Sequence, residues 1–268
     1  MAFADDAWRY VRDLAESELQ LIYYVSYMFL VWGVLVAVSL QIVSAPYGRY
    51  SRKGWGVGLK ANVAWVIQEL PSFAVPLLLL AFSDSPKFHN LPNKIILGMF
   101  LIHYFQRTFV FSILIKGGKA TPLVPFLMAC VFCATNGYIQ GRYLLKYADF
   151  STDWERKPTF LLGIAMFFSG MFINIQSDSI LRNLRQPGET CYKIPRGGMF
   201  EYVSGANFLG EILEWWGFAI ASCTLPALGF AVFTTCNIGP RACQHHQWYR
   251  QKFEDYPKTR KAVFPFIL

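Results

Sequence analysis

Leu21-Ile-Tyr-Tyr-Val-Ser-Tyr-Met-Phe-Leu-Val-Trp-Gly-Val-Leu-Val-Ala-Val-Ser-Leu-Gln-Ile-Val43 runs without a single charged side chain. A helix needs roughly 20 mostly apolar residues to cross the hydrocarbon of a bilayer, and this stretch supplies them. Further apolar stretches follow at about 62–82, 93–115, 121–145 and 158–178. Over the 268 residues 54% are apolar and 16% charged, where a soluble domain carries about 25% charge to cover its surface. Lipid must therefore replace water around much of this chain. The length suits one compact unit, and no internal repeat or low-complexity segment interrupts it. Asp5, Asp6, Asp13, Glu16 and Glu18 precede the first run, so residues 1–20 do not read as a signal peptide, whose leading segment is basic. They read as an extramembrane segment before a single membrane domain, 21–268.

The last apolar block, Ala206 to Cys236, is 31 residues long, too long for one pass and short for two. Loop charge decides, because Lys and Arg gather in short cytoplasmic loops. With the N-terminus outside and the last block crossing twice, sixteen basic residues fall inside and seven outside. The expected fold is thus all-α, a polytopic bundle of seven transmembrane helices with a cytoplasmic C-terminus, the last two joined near Thr224–Pro226. The net charge of +8 is explained by these loops, and no nucleic-acid module accompanies it. Six cysteines show no secreted disulfide pattern, and the Cys130-x-x-Cys133 pair lies inside an apolar run with no second pair, so no metal site is expected.

Charged groups at the centre of a span cost about 2.5–3.5 kcal/mol on insertion scales and call for a reason. Glu69, in Trp65-Val-Ile-Gln68-Glu69-Leu-Pro71, has no basic residue within one turn. Pro71 leaves the carbonyl of Ile67 without its helical donor, which suggests a kink. The next span holds His103, Tyr104 and, one turn on, Arg107. An interhelical Glu69–Arg107 ion pair would account for two of these; a shared site of Glu69 and Tyr104 at similar depth would account for more. A second cluster lies toward the cytoplasm. Asn174 and Asp178 share one helix face, continued by Arg182 with Arg185 beyond, and Asn207 and Glu211 share another. Between them runs a turn-rich basic loop, Pro187 to Gly198, whose prolines and paired glycines fix an irregular path suited to an anionic ligand. In the tail His245 and Tyr249 share a face below Arg241. There is no P-loop, dinucleotide-binding G-x-G-x-x-G, nucleophile elbow or H-E-x-x-H, so a nucleotide would have to be held by helix ends and loops.

Ala64-Trp65, Gln68-Glu69-Leu70-Pro71-Ser72, His103-Tyr104 with Arg107, Asn136-Gly137, Gly170 through Ile175, Ser177-Asp178, Leu181 through Arg185, Tyr192 through Gly198, Ser204 through Glu211, His245-His246 with Tyr249, and Phe253 through Pro257 occur in order. Together they resemble the steroid 5α-reductase family from about Pro46 to the C-terminus. The resemblance implies an NADPH-dependent membrane oxidoreductase that reduces the 4,5 double bond of 3-oxo-4-ene steroids. It implies that Glu69 and Tyr104 hold the 3-oxo group, with Trp65 and Gln68 lining the steroid cavity and Arg107 assisting. It assigns the cofactor to Asn174, Asp178, Arg185, Tyr192, Lys193, Asn207, Glu211, His245 and Tyr249, with help from Arg241. The steroid pocket would lie mainly in the first four spans, and the cofactor site in the last three and the cytoplasmic loops. Such an enzyme would sit in the endoplasmic reticulum membrane of a eukaryote or the cytoplasmic membrane of a bacterium, with lipid, steroid and NADPH as its partners and no obligate protein partner. A reductase of a polyprenol or long-chain enoyl thioester, a membrane methyltransferase, and a transporter with broken helices at Pro71 and Pro226 are the rival readings. Without the resemblance, the residues reach a polytopic membrane protein with a buried carboxylate and an anion-binding loop, and do not reach steroids.

Overall fold

The computed structural model describes residues 2–184, 189 and 191–268, with backbone alone at 2–12, 14 and 15. Among the described residues seven long helices carry the chain. They are α1 (Ala2–Ile42), α2 (Ala61–Phe82), α3 (Leu91–Phe105), α4 (Leu123–Arg142), α5 (Pro158–Asn183), α6 (Ala206–Ser222) and α7 (Leu225–Lys252). Helix α3 is prolonged to Leu114 through a π-helical turn at Gln106–Phe111, and α4 through another at Tyr143–Tyr147. Among the described residues five stretches are long and apolar enough to cross a membrane: Glu16–Ile42, Ala61–Phe82, Leu91–Leu114, Leu123–Tyr147 and Pro158–Asn183. These agree with the apolar runs of the sequence to within a few residues at most ends. Their outward faces expose large apolar side chains such as Val31, Trp32, Leu78, Val131 and Phe172, as lipid-facing helices must.

The last apolar block does break in two. Helix α6 stops at Ser222, Cys223 adopts a left-handed φ of 49°, and Thr224 caps α7, its hydroxyl accepting from the Ala227 N–H at 3.4 Å. The break falls at Cys223–Thr224, at the edge of the joint expected from the sequence, and α6 begins at Ala206, the first residue of the apolar block. Helix α1 runs from Ala2 to Ile42 without a break, so no helix end falls at residue 20.

Glycines set the closest helix contacts. On α5 and α6, Gly163, Gly170, Gly210 and Gly217 recur at a spacing of seven, and each faces the other helix's backbone. A Cβ at Gly170 would lie 2.4 Å from the Glu214 nitrogen, and one at Gly210 would lie 2.5 Å from the Asn174 nitrogen. Small residues of this kind let two backbones meet where lipid gives no hydrophobic drive. In α4, Gly137 abuts the Pro71 carbonyl and Gly141 abuts Pro76, so α4 lies tight against the proline-bearing side of α2, which stays helical throughout.

First and last helices are neighbours. Gly33 of α1 approaches Phe233, Gly229 of α7 approaches Ser26, and Gln244 donates to the Leu40 carbonyl at 2.5 Å. At the other end of α1, Glu18 accepts from Arg142 at 2.8 Å, Lys146 at 3.0 Å and the Tyr138 hydroxyl at 2.7 Å, and also from Tyr147. Arg142 reaches on to Ser83 and the Asp84 carbonyl beyond the end of α2.

Candidate functional site

Helix α4 joins the two residues expected to act together. Glu69 on α2 has as its neighbours the Gln68 amide at 3.4 Å and the Cys133 thiol at 3.9 Å. Ser72, one turn further along α2, donates to the Cys133 carbonyl at 2.8 Å. One turn along α4, Asn136 donates to the Tyr104 hydroxyl at 3.3 Å; Gln140 donates to Asn136 at 3.2 Å and to the Pro226 carbonyl at 2.8 Å. Ser72, Cys133 and Glu69 all lie near the Tyr104 hydroxyl. Glu69 and Tyr104 therefore face one polar line through an apolar bundle.

The Glu69–Arg107 ion pair considered from the sequence is not formed. Arg107 instead binds Asp178 of α5, Nη1 to Oδ2 at 2.8 Å, both side chains being buried. The π-helical turn carries Arg107 toward α5, and its guanidinium lies over the rings of Trp65 at 5.1 Å and Phe111 at 4.1 Å. Arg107 thus stands with the residues expected to hold the cofactor, in contact with Trp65, which was expected to line the steroid cavity. Among the described residues Glu69 is left with no ion pair.

Around Asp178 the expected residues converge. Asn174 donates to the Asn207 carbonyl at 2.9 Å, and the Asn207 amide and Arg182 flank the Asp178 carboxylate. Gly170 and Gly210 make this possible by bringing α5 and α6 into backbone contact. Glu211 lies one turn beyond Asn207 on α6, half-buried.

The rest of the expected set gathers under a strap formed by residues 45–50. Tyr47 lies under the Arg241 guanidinium at 4.6 Å, and Tyr50 packs on His245 at 5.6 Å. Arg49 donates to the Tyr249 hydroxyl at 3.2 Å and lies over Trp248 at 4.4 Å, Tyr249 at 4.9 Å and Tyr192 at 5.2 Å. Burial raises the Tyr50 phenol above its ordinary value, and that hydroxyl and Arg49 Nη1 are buried with no hydrogen-bond partner among the described residues. Ala45, Tyr47, Gly48, Arg49, Tyr50, Arg241 and His245 line one cleft. Two guanidiniums, an imidazole and several rings suit a ligand that is anionic and partly aromatic, so this donor set fits a nicotinamide dinucleotide phosphate. Lys193, half-buried, is paired with Glu189 at 2.5 Å. Arg185 lies outside the described residues.

The C-terminal tail closes over the loop that carries Tyr192 and Lys193. Lys261 and Ala262 exchange backbone hydrogen bonds with Tyr202, Ser204 and Gly205. Buried Arg260 donates to the Pro195 carbonyl at 2.8 Å and lies 3.5 Å from Glu201.

A family model described as 3-oxo-5-alpha-steroid 4-dehydrogenase matches residues 119–268. The chain is 53% identical over 245 residues to 3-oxo-5-alpha-steroid 4-dehydrogenase 1 of Bos taurus, covering 91% of this chain and 95% of that protein. It is 56% identical over 231 residues to the rat protein of the same name, covering 86% and 89%. It is 51% identical over 236 residues to the human 3-oxo-5-alpha-steroid 4-dehydrogenase 2, covering 87% and 92%. The chain belongs to the 3-oxo-5-alpha-steroid 4-dehydrogenase family.

Within this family member, Tyr47, Arg49, Tyr50 and Trp248 line or border the cleft without having been among the residues expected there from the sequence. Arg49 counted only among the basic charges of the loops, though its place between two tyrosines sets it apart from the others. Cys133 and Gln140 were missed for another reason: nothing in α4 alone shows which face meets Glu69.

Proposed function

We propose that the chain spans the bilayer seven times, N-terminus outside, and reduces the 4,5 double bond of 3-oxo-4-ene steroids with NADPH. The observation that carries the chemistry is Glu69 and Tyr104 on one polar line, the carboxyl forming no ion pair among the described residues. A half-buried carboxyl in an apolar span without an ion-pair partner is costly when ionised, and one that keeps its proton to donate to a ketone is not. The cytoplasmic ends of α5, α6 and α7, with the 45–50 strap, would hold the cofactor; when bound, it supplies the hydride. Arg49, Arg241 and Lys193 would answer its phosphates. Asn174, Asp178, Asn207 and Glu211 would orient its polar groups, and Arg107 would keep Asp178 ionised among apolar walls.

Conjugate addition moves negative charge onto the 3-oxo oxygen as the enolate forms. Tyr104 donates to that oxygen, oriented by Asn136, and Glu69 in protonated form donates beside it. Donors fixed in advance at a developing oxyanion, in a site without water, need no reorganisation as charge appears. The bovine, rat and human relatives are named for a 3-oxo steroid and its 4-position, which supports the same reading here. The substrate reaches such a pocket through lipid, and the cofactor reaches it from the cytosol.

The test is turnover of testosterone or progesterone by protein in nanodiscs with NADPH, followed by mass. The expected product is two hydrogens heavier. Glu69→Gln and Tyr104→Phe are each expected to lower kcat by about 10²–10³, the usual cost of one oxyanion donor. NADPH binding without steroid reduction would move the substrate to another unsaturated lipid. No NADPH binding at all would sink the reading and bring a methyltransferase forward.

A further inference from the structure

Reduction of an enone consumes one proton for every hydride, and the clamp of Glu69 and Tyr104 accounts for charge stabilisation but not for resupply. His103, the residue before Tyr104, forms a buried pair with Glu214 of α6, Nδ1 to Oε1 at 2.7 Å. Their relative exposures are 4% and 0%. Glu214 Oε2 has no partner among the described residues. The Trp215 ring packs on His103 at 4.4 Å and on Tyr104 at 5.9 Å, while His103 and Tyr104 lie edge to face at 5.0 Å. The charged groups around His103 are Glu69 on α2, Arg107 on the continuation of α3, which Asp178 of α5 already neutralises, and Glu211 on α6.

A carboxyl and an imidazole in contact, shut away from water, are cheapest when they hold one proton between them, because either other count leaves a net charge in a low dielectric. We propose that the His103–Glu214 pair is the proton store that refills Tyr104; this rests on the functional reading above. As the hydride forms the new bond at carbon 5, the electron pair of the 4,5 double bond shifts toward carbon 3 and the 3-oxo oxygen becomes an enolate. Tyr104 gives its phenolic proton to that oxygen, and the proton of the pair passes to the phenolate, directly or through one water. The enol becomes the ketone as its hydrogen moves to carbon 4. The pair, left one proton short, takes a proton from water as product leaves. His103 and Glu214 are positioning residues here, acting through Tyr104.

The experiment compares wild type, His103→Gln, Glu214→Gln and the conservative Glu214→Asp in nanodiscs. NADPH binding is read by fluorescence, kcat and KM against pH, and the solvent deuterium isotope effect on kcat. NADPH binding within about threefold of wild type, kcat lowered about 10–100-fold in both amide variants, a larger isotope effect, and recovery in Glu214→Asp are expected for a displaced proton donor. Unchanged kcat in a variant that still binds NADPH overturns the proposal. So does a kcat loss that tracks weakened NADPH binding with an unchanged isotope effect. Should Glu214→Gln fail to fold, His103→Gln carries the same comparison. A ligand-free readout separates this from the functional reading. Isotope-labelled His103 in wild type should not titrate between about pH 5 and 8, where an ordinary imidazole does. Free titration there overturns the store whatever steroid is or is not reduced.

Discussion

Asn136 has two obligations that no other small residue could meet: its amide donates to Tyr104, and its carbonyl accepts from Gln140. Replacing it with Leu leaves two buried polar groups short, at about 1–3 kcal/mol for each. The expected outcome is a kcat lowered roughly tenfold, because Tyr104 loses its orienting partner at a cost near 1.4 kcal/mol. NADPH binding should stay unchanged, as a titration of the cofactor would show. Arg107 and Asp178 give a second comparison. Asp178→Asn leaves a buried guanidinium unpaired and should cost about 3–5 kcal/mol, whereas Arg107→Met with Asp178→Leu together should cost less. Thermal denaturation of the three proteins in detergent orders them. Glu69, Tyr104, Asn174, Asp178 and Asn207 were legible one by one because polar side chains are scarce in apolar runs. Arg107's partner was not, since the π-helical turn that redirects it leaves no mark in the spacing of apolar residues.

Glycine spacing decides the α5–α6 pair. Gly170→Ala forces a methyl to 2.4 Å from the Glu214 backbone and 2.5 Å from the Gly210 carbonyl, so the helices must part. That separation would pull Asn174 from Asn207 and disturb the site as well as the fold; loss of folded protein on size-exclusion chromatography is expected. Gly98→Ala on α3 meets nothing within 4 Å and should be neutral or slightly stabilising, since Ala is about 1 kcal/mol the better helix former. The loop under the tail offers a pH-dependent case. Glu201 accepts from the Gly197 N–H at 2.5 Å, and that bond, with Arg260 nearby, holds its carboxyl below its ordinary value of 4.5. A depressed folded value means that stability from Glu201 is present above pH 4.5 and fades as pH falls through the folded value. The melting difference between wild type and Glu201→Gln should thus be constant at neutral pH and vanish in acid. Helix ends were legible because Pro, Gly and loop charges mark them. The extension of α1 to Ala2 was not, because charged residues at a helix start look the same whether the helix begins or continues there.

The bundle closes by joining its ends: α1 lies against α7, and Glu18 receives four donors from α4 and its π-helical continuation. Glu18→Gln removes the charge that compensates Arg142 and Lys146, and it should lower the melting midpoint in detergent by several degrees with little change in NADPH affinity. That the two ends meet could not be read from apolar runs, which report how many helices exist and not which of them touch. The arrangement has a consequence for synthesis. Glu18 leaves the ribosome more than a hundred residues ahead of Arg142, and Gly33 some two hundred ahead of Phe233. The first helix to enter the membrane must therefore wait there, its carboxylate unanswered, until half the chain has followed. It cannot be seated fully until translation is nearly over, which makes the interval between first and last insertion the period in which a chaperone or a quality-control protease would find this protein incomplete.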